Sequence, residues 1–183
     1  MTRKPYSTAF LVLAGLLTAC AAPPPEESQV AVDQGRAEAG PPRFSAPAGW
    51  VEEAPANSMR LVQFRTPGDA GSLCIVNAWP NGVGPLEANL DRWVGQVGLK
   101  SAASLEDPQR STRTIRGHTV TTIHVEGPLA AGMSGGEALE HGAVLAAFIE
   151  SPTGPSVWTV KLQGDAAEIA AQRGGFDEML SGL

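Results

Sequence analysis

Residues 111–127 read STRTIRGHTVTTIHVEG. The stretch divides into two strands, 111–117 and 118–127, which meet at Gly117 with no room for a helix between them. Connections that short favour antiparallel pairing. A second hairpin follows, in which AVLAAFIES (143–151) and SVWTVKLQG (156–164) are joined by PTGP. Residues 128–142, rich in glycine and alanine, read as the loop between the two pairs.

Toward the N-terminus the pattern continues. FSAPAGW (44–50) reads as an opening strand with two aromatics around a proline turn. In SMRLVQFRT (58–66), Met59, Leu61 and Gln63 alternate with Arg60, Val62 and Phe64. SLCIVNAW (72–79) is a nearly continuous apolar run of strand length, and TPGDAG (66–71) suits a hairpin connection. Between these strands and the later four lies NGVGPLEANLDRWVGQVGL (81–99). Leu86, Leu90, Trp93 and Val97 share a helical face there. Pro85 suits the first turn and Gly98 the exit. Gly95 in the interior predicts a close approach of backbone. A last helix starts at Asp165, with Glu168 at capping-box spacing. Ile169, Phe176, Leu180 and Leu183 can share its buried face, and Gly174 and Gly175 would weaken or bend it. The order predicts an α+β domain over 44–183, a mainly antiparallel sheet flanked by two principal helices.

The composition is globular: 183 residues, 43% hydrophobic, 17% charged, formal charge −6. Basic residues are scattered among acids. Without a basic stripe, nucleic acid is not an expected partner. Residues 1–19 have a short basic start, Arg3 and Lys4, followed by the uncharged AFLVLAGLLTA. That run is too short for a permanent membrane helix, which needs about 20 residues, and has the build of a secretory signal. Leu17, Thr18 and Ala19 before Cys20 match a lipobox, so Cys20 is expected to carry lipid and to anchor the chain to a membrane. Ala21, which is not an aspartate, points to the outer membrane in a Gram-negative envelope. Residues 20–43 then form a Pro/Ala-rich tether, expected to be disordered and to reach roughly 25 Å.

NLDRWVGQVGL (89–99) resembles the NxxRWxGQxGL helix of a group of small bacterial lipoproteins of unknown function. VWTVKLQGDAAEIAAQRGGFDEML (157–180) is similar to their C-terminal ending, and FSAPAGW and MRLVQFR fit as well. The resemblance covers about residues 44–183. Val94 and Gln163 depart from the pattern. It implies a PsbP-like fold, an α/β/α sandwich whose other users dock to partners rather than catalyse.

Asn89, Arg92, Trp93 and Gln96 form the leading candidate site, a polar ridge beside Leu90. It either recognises a carboxylate, a sugar or a partner backbone, or holds the helix against neighbouring strand ends. GMSGG (132–136) matches G-x-S-x-G, but Ser134 sits in a glycine-rich loop without the strand and helix an elbow needs. His118 and His124 face one side of a strand about 20 Å apart, too far to share a metal. EALEH (137–141) has acid and imidazole at helical spacing but no second histidine. Cys74, in LCIV, reads as a buried small hydrophobe. NGVGP (81–85) reads as a turn, or as backbone donors for an anion. No cofactor or metal is expected. The expected function is noncatalytic: a lipid-anchored envelope protein docking to a protein or envelope component. The alternative is a small-ligand-binding or sensing domain that uses the cleft beside NGVGP and Arg92.

Overall fold

The two hairpins lie side by side in one seven-stranded sheet of the computed structural model, which describes residues 40–68, 71–131 and 138–183. Its strands are β1 (Val51–Glu53), β2 (Arg60–Arg65), β3 (Leu73–Trp79), β4 (Arg110–Ile115), β5 (His118–Leu129), β6 (Leu139–Glu150) and β7 (Val157–Asp165). They are ordered β1-β2-β3-β7-β6-β5-β4, and every neighbouring pair is antiparallel. Arg116 and Gly117 join β4 to β5 with φ of 46° and 86°. Two successive positive φ values give a tight turn whose twist matches the flanking strands. The signal segment, Cys20, the tether as far as residue 39, and the GMSGG stretch with Ser134 lie outside the described residues.

β6 is buried without a break from Gly142 to Ile149, because helices cover the sheet on both faces. On one face Phe64, Cys74, Val76, Val160 and Leu162 pack under α2 (Ala166–Ala171) and α3 (Arg173–Ser181) through Ile169, Phe176 and Leu180. On the other, Ile123, Val144, Ala146 and Phe148 pack under α1 (Leu86–Val94) and its continuation. Leu90, Trp93, Val94 and Val97 supply that contact, close to the face expected, with Leu86 only partly buried. Burying each such side chain contributes about 1.5–3 kcal/mol before entropy is subtracted.

Local chemistry sets the helix ends. α1 tightens into a 3-10 turn over Gly95–Val97 and stops at Gly98, whose φ of 81° is the left-handed conformation that glycine adopts at little cost. The close approach expected at Gly95 lies elsewhere: a Cβ there would meet nothing within 4 Å, whereas one on Gly127 would sit 2.6 Å from Val97 O. The missing side chain on β5 therefore lets the end of the α1 segment rest on the sheet. Asp165 Oδ1 accepts from the backbone N–H of Ala167 (2.9 Å) and Glu168 (3.2 Å), the cap expected for α2. Glu168 does not close the reciprocal half of the box. Its carboxylate turns to the β2–β3 hairpin instead. The final helix breaks at Gln172, just ahead of Gly174 and Gly175, and Gln172 Oε1 accepts from Trp50 Nε1 at 3.0 Å.

Three further expectations change. Residues 44–50 are not a strand, because Pro47 and Gly49 make a turn closed by Trp50 N–H to Pro47 O at 3.0 Å. Pairing starts only at Val51. The packed region also begins before residue 44: Pro42 is buried, and Gly40 O lies 3.3 Å from His118 Nε2. Finally, β5 and β6 run into the expected loop. Gly127 and Gly142 pair across the ladder, so Leu139 to His141 are strand and the acid–imidazole spacing of EALEH is not helical there.

Candidate functional site

The structure separates the four residues of the α1 ridge. Trp93 is 4% exposed and packs on Phe148, ring centres 6.4 Å apart. Asn89 is 2% exposed. Its Nδ2 donates to Val83 O (3.2 Å) and Pro85 O (2.9 Å), and its Oδ1 accepts from Arg92 Nη2 at 2.7 Å. The side-chain amide of Asn89 therefore holds the 83–85 turn and steadies Arg92. Arg92 and Gln96 are what the ridge presents at the surface.

They border an open part of the sheet. α1 and its 3-10 turn lie over β5 and β6, so the same face of β7, β3 and β2 is less covered. Ile75, Asn77, Lys161 and Gln163 are half-buried there, and Arg60, paired with Asn77, donates to Gln63 Oε1 at 2.7 Å. The register places Gln63, Ile75, Lys161 and Ala146 in one row, Ala146 under the helix and the others beyond it. This shelf ends at Trp79, whose Nε1 donates to Thr159 Oγ1 at 3.1 Å.

Lys161 is the electrostatic centre of the shelf. Its Nζ donates to Gln96 Oε1 at 3.4 Å. Burial holds the ammonium below its ordinary pKa, and the nearby Arg92 charge pushes the same way. Among the described residues neither cation forms an ion pair. Gln163 Oε1, on the same face, is buried without a hydrogen-bond partner among the described residues. Arg92, exposed beside Lys161, can therefore receive a carboxylate from outside the chain. Sequence reasoning missed Lys161 and Gln163. The available signal was a lysine and a glutamine alternating with Val160 and Leu162 inside an apolar strand.

The other candidates are dispersed. His118 and His124 do share a face, but His118 is buried edge-on against Trp158, ring centres 5.7 Å apart, and His124 lines a separate cavity. Among the described residues no group of three histidine, cysteine or acidic side chains could hold a metal. Cys74 is buried in the α2–α3 core, where desolvation pushes its thiol pKa well up. The NGVGP turn carries positive φ at Gly82 and Gly84 and is tied by Asn89. No helix of the described residues is long and apolar enough to cross a membrane.

No family model matches the chain, and no curated protein matches it. A solved structure from Bacteroides thetaiotaomicron VPI-5482 is similar at a TM-score of 0.38 and 10% identity, over 76% of this chain and 41% of that one. The chain thus spans less than half the length of that structure.

Proposed function

We propose that this chain is a noncatalytic, lipid-anchored protein of the cell envelope that docks a partner polypeptide on the shelf beside α1. The observation that carries docking is the pairing of Arg92 and Lys161 on an incompletely covered sheet face, with no acid of the described residues bound to either. The partner segment is extended and acidic: carboxylates meet the two cations, and apolar side chains cover the half-buried Ile75. The lipobox at Leu17 to Cys20 supports the anchor, and Ala21 supports an outer-membrane address facing the periplasm. Helices on both faces of an antiparallel sheet support the PsbP-like reading of the fold.

Two measurements test the proposal. Mass spectrometry of the natively made protein should find an N-terminus at Cys20 bearing acyl chains, and a different N-terminus or an unmodified Cys20 sinks the anchor. A photo-crosslinker at exposed Ala88, one turn before Arg92 on α1, should capture a specific polypeptide in intact cells, whereas one at exposed Glu178 on α3 should not. Identical capture from both positions, or none from position 88, overturns docking.

A further inference from the structure

On the opposite face of the sheet, a cavity of about 160 Å³ lies between β4–β5 and α3. Buried Leu145 and Phe176 line its apolar side. Ser111 Oγ and Thr122 Oγ1 line another side, 2.8 Å apart across the β4–β5 register. Next on β5 comes His124, whose side chain is 12% exposed. Its Nε2 is buried and has no hydrogen-bond partner among the described residues; Glu126 Oε1 is 3.8 Å away. Arg173 and Asp107 also line the cavity, neither in an ion pair among the described residues. Arg113 is already bridged to Asp177 at 2.9 Å.

These features point to a ligand. Charged, hydroxyl and imidazole side chains converge on one cavity. The cavity is smaller than the roughly 300–1,000 Å³ that drug-sized ligands occupy. Arg173 offers a planar, two-pronged donor that matches a carboxylate. Burial, and secondarily the Arg173 charge, lower the pKa of His124 against an opposing pull from Glu126. The imidazole is therefore neutral at pH 7, with one ring nitrogen a donor and the other an acceptor. The hydroxyl pair is bonded to itself rather than to His124, an arrangement for binding and not for nucleophilic attack.

We propose that this cavity binds a small carboxylate carrying a hydroxyl or amino group. Its carboxylate pairs with Arg173, and its polar substituent meets His124, Ser111 and Thr122. Asp107 accepts from a ligand ammonium or hydroxyl. The site is on the other face from the shelf and does not depend on it, so losing one leaves the other's readout intact.

The test uses the full chain and follows the His124 imidazole signals by NMR while glycolate, L-lactate or L-alanine is added, with lactamide as the uncharged control. A saturable shift at millimolar or lower concentration is expected from at least one of the three, with none from lactamide. Arg173→Gln should weaken that binding at least about tenfold without changing Tm, since Arg173 is exposed. Thr122→Val removes one wall hydroxyl while keeping the charges, and should weaken binding too. Silence from all three carboxylates, an equal response to lactamide, or unchanged affinity in Arg173→Gln overturns the proposal.

Discussion

Glu168 Oε1 accepts the backbone N–H of Ser72 at 2.7 Å, tying the first turn of α2 to the β2–β3 hairpin across 96 positions of sequence. Thr66 Oγ1 donates to the same oxygen at 3.3 Å. Removing the carboxylate takes away the charged acceptor and leaves the nearly buried Ser72 N–H to Thr66 Oγ1 alone, at 2.7 Å. Glu168→Ala should cost about 1.5–3 kcal/mol in urea unfolding. Glu168→Gln, which keeps an acceptor, should cost less. Equal losses in the two variants would mean that the hydrogen bond is not what the side chain contributes.

Within α1, stability and recognition separate by residue. Trp93→Ala should destabilise by about 3–5 kcal/mol, because it opens a cavity under the helix. Arg92→Ala, which takes the donor away from buried Asn89 Oδ1, should cost less, about 1–3 kcal/mol, and still lose the crosslink. Thermal melts of the two proteins check the first statement. Stability loss in Arg92→Ala with the crosslink retained would place that residue in the fold rather than on the docking surface.

Lys161 sits desolvated and, among the described residues, only Gln96 accepts from it. Replacing it with methionine keeps the stem's packing and removes the uncompensated charge. Lys161→Met should hold or raise stability, by up to about 1 kcal/mol, while weakening the partner. A clear drop in melting temperature would show that the ammonium has a stabilising partner in solution.

The pH response of His124 has a definite sign. Its folded pKa is lowered, chiefly by burial, so below about 6.5 the unfolded chain takes up a proton before the folded one does. The His124 contribution is therefore complete above about pH 6.5 and is lost as pH falls through that value toward the folded pKa. An NMR titration should place the His124 midpoint below that of an unstructured histidine. A midpoint above it would mean that the Glu126 attraction outweighs burial.

Cys74 is enclosed by the α2–α3 core, and desolvation disfavours its thiolate. A thiol reagent should therefore label it in denaturant but hardly at all in the folded chain. Rapid labelling of native protein would show that this part of the core opens readily.

The sheet was legible wherever a period of two met a short turn. Gly117 and PTGP gave both C-terminal hairpins, and the alternation around Val62 and Phe64 gave β2. The breaks were harder to place. Gly95 and Gly127 look alike in sequence, and only the sheet shows which of them has backbone against it. Glu168 had the spacing of a reciprocal cap, yet the Ser72 N–H, which local spacing does not reveal, claims its carboxylate. At the candidate site, helical periodicity placed α1; Asn89 follows the helix-holding reading of the ridge, and Trp93 faces inward. Lys161 and Gln163 belong to a strand that meets the α1 segment only after long-range pairing.

The outermost strands set how copies of this molecule behave when crowded. β1 offers only three residues, and Glu53 on it is held by Arg65, whose hydrogen bond keeps the carboxyl below its usual range. At the far border, β4 carries Arg110 and Arg113, one clamped to Glu87 of α1 and the other to Asp177 of α3. A neighbouring molecule that tried to extend the ladder would meet a stub on one side and a fixed pair of guanidinium groups on the other. Growth into fibrils is thereby discouraged even at high local density.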